Sequence, residues 1–313
     1  MWLALSWSAF VVGGLLLMDV LSDVRYGLAV LALGLAGAFI CMSVGRSRVG
    51  VRWTAWTADR RDLVAIGVMY AVVVGLLSLA FQVFTPERTL WMFLCFAGAQ
   101  VIGVAGPVIY SVWFRHRDLR SLGLTLTTWR RVAGPAIIFA AVQFAITLWE
   151  YDLPRPVDWV PLLVMALAVG VFESIFFRGF IQGRLEASFG TVPAVMGAAA
   201  LYSLYHVGYG MGPTEMTFLL GLGVVYAIAY RTTNNVLVLW PLLTPLGSFF
   251  AQLESGELAG DLPWAAILGF VDELAVVAAI IWLAHRHERR RREREAPAPT
   301  PLRRDIHNLE RVG

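Results

Sequence analysis

Ten runs of apolar residues, each close to the ~20 needed for a helix to cross a bilayer, divide this chain from one end to the other. They fall at residues 2–18, 26–44, 63–84, 89–114, 132–149, 158–183, 191–209, 214–230, 236–253 and 263–285. Hydrocarbon offers no partner to a free N–H or C=O, so a spanning segment must satisfy its own backbone. Runs of this length do so as helices. The expected fold class is therefore all-α, a polytopic membrane protein with about ten transmembrane helices. With 58% hydrophobic and 15% charged residues, against about 25% charged in soluble domains, no soluble domain of useful size is left over.

The links between the runs sort by charge. Arg46, Arg48, Arg52, Arg60 and Arg61 follow the second run, and Arg115, Arg117, Arg120, Arg130 and Arg131 the fourth. Arg184 follows the sixth, Arg231 the eighth, and a dense arginine cluster the tenth. The alternate links carry Asp19, Asp23, Glu87, Asp152, Asp158, Glu215, Glu254, Glu257 and Asp261 with few arginines. Such alternation is the positive-inside pattern of an even number of helices with both termini cytoplasmic, as expected of a multi-pass protein of the cell membrane. The N-terminus has no basic leader or small-residue cleavage site and is read as a retained first crossing. Cys41 and Cys95 lie in apolar runs, too few for a disulfide framework. Residues 118–131 mix Leu and Trp with Arg and are expected along the cytoplasmic interface.

This organisation divides into residues 1–131 with helices one to four, a membrane core at 132–285, and a basic cytoplasmic tail at 286–313. The tail is expected to prolong the last helix through Glu295, with a polyproline-like linker at 296–301. Its arginines read as an anchor beside anionic lipid, and no nucleic-acid partner is expected.

Within the apolar runs a few ionisable residues stand out, and such residues are functional candidates by default. Glu173 lies in run six, and Arg178 one turn nearer the cytoplasm, where it is expected to snorkel to the headgroups. By the i, i+4 rule Arg178 faces Ser174 and not Glu173. His206, in run seven, shares a face with Tyr202. Runs six and seven are antiparallel neighbours, so Glu173 and His206 can meet, and such a pair can hold a water and take its proton. The structural alternatives are a buried carboxyl bonded to a neighbouring helix and a packing imidazole. In run nine, Thr244 and Ser248 are again four apart after Trp240-Pro241, where Pro245 bends the helix; the alternative is a kinked packing helix. Asp272 and Glu273, in run ten, fit no motif and are candidate partners for Arg178 or a cavity lining. Asn234 and Asn235 are expected to be N-caps.

These residues resemble the CAAX-protease and bacteriocin-processing family of intramembrane proteases, which includes prenyl-protein endopeptidases that remove the last three residues of CAAX proteins. The family's Glu-Glu-x-x-x-Arg motif, continued as Phe-Arg-Gly, is matched by Glu173-Ser174-Ile175-Phe176-Phe177-Arg178-Gly179. Its Phe-x-x-x-His motif is matched by Tyr202 to His206 with one aromatic change. Its His-x-x-x-Asn motif aligns with Thr244 to Ser248. The resemblance covers roughly residues 158–253. It departs at Ser174, which replaces the second Glu, and at Thr244 and Ser248, which replace His and Asn.

Of the two mechanisms argued for the family, a zinc site takes about three protein ligands, usually including His; run nine supplies none, so no metal or other cofactor is expected. In the other, Glu173 and His206 activate a water while Thr244 and Ser248 donate to the oxyanion; Ser174, Arg178 and Tyr202 complete the motifs. The resemblance thus implies an endopeptidase acting on a membrane-associated protein or peptide. A pseudoprotease, a membrane scaffold keeping the fold without activity, is the alternative implied by the departures. A carrier using Glu173, Asp272 and Glu273 is a third reading, though no inverted repeat is evident.

Overall fold

The computed structural model describes residues 58–83, 97–130, 159–239 and 264–295, with positions 94, 132–134, 136–137, 141 and 156 besides. They are helices and their connections, with no strand among the described residues. Helix α1 spans Arg60–Ser78 and runs on as a π turn, Leu79–Val83. The next crossing is built around α2, Gly106–Ile109, with π turns at Val101–Ala105 and Tyr110–Phe114. Helix α3, Trp159–Glu173, continues without a break as a nine-residue π-helix, Ser174–Gln182, then as α4, Gly183–Phe189. After the turn at Gly190 the chain returns as α5, Thr191–Tyr205, ending in a 3-10 turn, His206–Tyr209. Helix α6 is Pro213–Thr233 and α7 is Trp264–Glu295.

These elements lie where hydropathy put runs three, four, six, seven, eight and ten. Arg60–Val83, Ala97–Phe114 and Pro213–Thr233 are each long and apolar enough to cross a membrane. Runs one and two fall outside the described residues, as does most of runs five and nine, so the expected ten rests on hydropathy there. Val64, Val68 and Val72, four residues apart on α1, are all exposed, forming the kind of apolar stripe that lipid covers.

The links that share arginines meet at one end of the bundle. Asp59 caps α1, accepting the Arg61 N–H at 2.9 Å, and pairs with Arg115. Asp62, one turn on, is 2% exposed. It accepts the Tyr110 hydroxyl at 2.9 Å and pairs with Arg115 Nε at 3.3 Å and Arg117 at 3.1 Å. Arg184 donates to Ser111 Oγ at 2.8 Å, and Arg231 pairs with Glu186 at 3.3 Å. Charge alternation in the sequence therefore corresponds to a physical cluster tying α1, α2, α4 and α6 together. Asp62→Asn strips the carboxylate from two arginines and is expected to cost about 1–3 kcal/mol, read as a lower unfolding midpoint in detergent.

Asn234 and Asn235 divide their duties. Asn235 caps the 3-10 turn Val236–Val238, accepting from Leu237 N at 2.9 Å. Asn234 is no N-cap: it closes α6 in the left-handed region at φ 48°, a conformation asparagine tolerates better than most residues. The tail does prolong the last helix, since α7 is unbroken through Glu295 and crosses the 285/286 boundary.

Candidate active site

The site is assembled from the junction of α3 with its π-helix and from the end of α5. Between residues 171 and 182 every side chain is buried, and Phe172, Phe176, Phe177 and Phe180 join Tyr202, Tyr205 and Tyr226 in one apolar core. Glu173 sits inside it, 6% exposed. One of its oxygens accepts the Tyr205 hydroxyl, and the other accepts the Tyr202 hydroxyl at 3.3 Å. Both carboxylate oxygens are therefore held, and both donors come from α5, across the interface from α3.

His206, 5% exposed, begins the 3-10 turn where α5 ends. Its Nδ1 lies 2.8 Å from the Tyr202 carbonyl oxygen. A carbonyl only accepts, so Nδ1 carries the proton, and in the neutral ring Nε2 is left as the acceptor. The imidazole lies over the Tyr205 ring with centroids 4.0 Å apart, with Tyr202 at 5.1 Å and Tyr209 at 5.6 Å. No hydrogen bond or ion pair joins Glu173 to His206. Tyr202 and Tyr205 touch both, so acid and imidazole share one aromatic enclosure without a hydrogen bond between them.

Arg178 overturns two expectations. It does not reach the headgroups: it is 1% exposed, with its guanidinium over the Tyr202 ring at 4.9 Å and the Tyr226 ring at 5.8 Å. Nor does it turn to a separate side from Glu173: both meet Tyr202, Arg178 at its ring and Glu173 at its hydroxyl. The cause is the winding. In a π-helix the repeat is i to i+5, which carries position 178 back to the side of 173, whereas α geometry would turn it away. Both Arg178 Nη atoms are without a hydrogen-bond partner among the described residues. Ser174, on the same π-helix, is buried with its hydroxyl equally unpartnered.

The enclosure is held from outside by α1. Tyr70 donates to the Leu201 carbonyl at 3.0 Å, and Gln82 Nε2 to the Val207 carbonyl at 2.6 Å and the Gly208 carbonyl at 3.2 Å. A Cβ on Gly208 would stand 2.8 Å from that of Leu77, so only glycine lets the histidine turn press this closely on α1. Helix α1 lies in the part of the chain outside the family resemblance, and it buttresses the site all the same.

Residues 154–242 match the family model described as Type II CAAX prenyl endopeptidase Rce1-like. That segment is similar to the Rce1-like family. It holds Glu173, Ser174, Arg178, Tyr202 and His206, and the residues resembling the family's first two motifs are those that meet around Glu173. The match supports a membrane endopeptidase of the CAAX-protease-like kind. It ends two positions before Thr244, and Thr244 and Ser248 both lie outside the described residues. No curated protein and no solved structure matches the chain.

Other sequence candidates stand apart from this enclosure. Asp272 is exposed and Glu273 buried on α7, and neither forms an ion pair with Arg178. Both Glu273 oxygens lack a hydrogen-bond partner among the described residues. Tyr205 is the residue that sequence reading passed over. The pattern that carried a signal was Tyr202, Tyr205, His206 and Tyr209, spaced three and four apart and so grouped on one side of a helix. Tyr205→Phe keeps the ring and removes the hydroxyl. Leaving a buried acceptor short of its donor costs about 1–3 kcal/mol, expected as a fall in unfolding midpoint that Leu204→Ala, at an exposed neighbour, does not reproduce.

Proposed function

We propose that this chain is an intramembrane endopeptidase that hydrolyses a peptide bond in a membrane-associated protein or peptide. The observation that carries the reading is the buried Glu173 carboxylate, gripped by two tyrosine hydroxyls beside His206, within the Rce1-like segment. Glu173 is the general base that takes a proton from the attacking water. His206, its Nδ1 fixed by the Tyr202 carbonyl, presents Nε2 to orient that water. Thr244 and Ser248 are the oxyanion donors on the sequence argument, and the two unpartnered Nη atoms of Arg178 make it a further donor. The cell membrane, with both termini on the cytoplasmic side, is the proposed setting.

Zinc does not fit the donors described. Glu173 and His206 offer two ligands where a zinc site takes about three, and both Glu173 oxygens already accept from tyrosines. The mechanism accordingly takes no step through a metal.

One observation favours the second reading, a pseudoprotease serving as a membrane scaffold: tyrosines occupy both carboxylate oxygens, and no direct bond links Glu173 to His206. Purified protein in liposomes, incubated with a library of membrane-anchored peptides and analysed for new termini by mass spectrometry, separates the two. The endopeptidase reading expects defined new termini that are absent with Glu173→Gln. If wild type and Glu173→Gln give the same products, or neither gives any, the scaffold reading takes its place.

A further inference from the structure

At the end of the bundle where the arginines gather, and lined by none of the residues around Glu173, there is a cavity of about 770 Å³. One wall is α7 from Ile281 to Glu293, and the facing wall is the stretch Leu119–Thr127 with Val236 and Leu237. Its surface is overwhelmingly apolar, and Leu126 at its mouth is 75% exposed. Around the same cavity stand Arg120, Arg289, Arg292 and His285.

The position of this cavity relative to the bilayer can be read from α7. Leu268, Val271, Val276, Trp282 and Leu283 are exposed apolar residues, and from His285 onward the helix is almost wholly charged. Trp282 carries the Arg286 guanidinium over its ring at 5.4 Å, an aromatic–cation pair of the kind found at the membrane–water boundary. The cavity begins at Ile281 and so opens at headgroup level, with apolar walls and cations above them.

Two carboxylates also line it, and each is already engaged. Glu288 accepts from Leu119 N at 2.5 Å, and burial pushes its carboxyl up from the usual glutamate range. Glu293 pairs with Arg289 at 3.0 Å, and Arg292 with Asp118 at 2.7 Å. Arg120 is different. Its guanidinium has no hydrogen-bond or ion-pair partner among the described residues, so it faces the cavity uncompensated.

We propose that this cavity seats one anionic phospholipid, its phosphate on Arg120 with Arg289 and His285 beside it, and an acyl chain along Leu124, Leu126, Leu237 and Ile281. A soluble phosphate would gain nothing from the apolar walls, and a zwitterionic lipid would leave the cations less well matched. The occupant is therefore both lipid and anionic.

The test uses the full chain, purified in mild detergent after exposure to phosphatidylglycerol or phosphatidylcholine, with retained lipid counted by native mass spectrometry. The expected result is one phosphatidylglycerol retained, phosphatidylcholine lost, and no displacement by millimolar inorganic phosphate. A headgroup-level arginine is worth about fivefold in binding, so Arg120→Gln should weaken retention about that much. Arg290→Gln, on α7 but off the cavity, should not. Leu126→Trp, which crowds the mouth without changing charge, should weaken retention with the unfolding midpoint unchanged. Equal retention of the two lipids, or equal loss in Arg120→Gln and Arg290→Gln, would overturn the proposal, the latter pointing to diffuse attraction by the arginine tail.

Discussion

Glu173→Gln is expected to lower peptide cleavage by about 10²–10⁴-fold, the usual contribution of a positioned general base, while the protein stays folded and inserted. An amide of nearly the same shape keeps one tyrosine hydroxyl donating to its oxygen, while its NH2 donates to the hydroxyl oxygen of the other, so most of the packing persists. What it loses is the capacity to take a proton. His206 offers Nε2 for orienting water but makes no hydrogen bond to Glu173, so it has no carboxylate partner to replace. The measurement is the rate of new-terminus formation in liposomes, with the unfolding midpoint taken on the same preparation. A variant that cleaves at the wild-type rate removes Glu173 from the mechanism and with it the proposed reaction.

The second large effect is structural and falls at Gly179. A Cβ built there would overlap the Leu122 carbonyl oxygen, with two further backbone atoms of Leu122 at 3.1 and 3.3 Å. The obstacle is backbone, which cannot turn aside as the end of a flexible side chain can. Gly179→Ala must therefore part the π-helix from the turn Leu119–Leu122. Overpacking of this kind costs about 1–3 kcal/mol and occasionally more. Gly179→Val, with two further methyls, should cost more still. The readout is the unfolding midpoint in detergent and the yield of monodisperse protein. Gly221→Ala, where a Cβ meets nothing within 4 Å, is the control expected to leave both unchanged. A Gly179→Ala protein as stable as wild type would show that this contact does not hold the two segments together.

How far the molecule could be read from its residues differs by level. Run six, placed at 158–183 by hydropathy, corresponds to α3 with its π-helix, Trp159–Gln182, and run eight, at 214–230, to α6, Pro213–Thr233. Such agreement is natural where lipid dictates the pattern, because apolar length is itself the physical requirement. Winding leaves no such mark. A shift from i+4 to i+5 bonding alters neither composition nor length, and so the sequence placed Arg178 at the membrane surface when it lies beneath two tyrosines. The family's motif spacing drew attention to Tyr202, four residues before His206. Tyr205 was passed over because it belongs to no motif, although its hydroxyl and ring are what connect the acid to the imidazole. Asn234 shows the same limit on a small scale, since an asparagine beside a helix boundary can close one helix as readily as open the next. Where the third motif would sit, Thr244 and Ser248 remain a matter of sequence.

Helix α7 carries the widest consequence for how the chain tolerates change. Its 32 residues make a rod of about 48 Å, well beyond the ~30 Å hydrocarbon slab. Because the rod is unbroken, rotational phase is preserved from Glu273 in the bundle out to Arg292 at the cavity. A single residue inserted after Arg286 would turn everything beyond it by about 100°, swinging the outer arginines off Asp118 while leaving charge and hydropathy as they were.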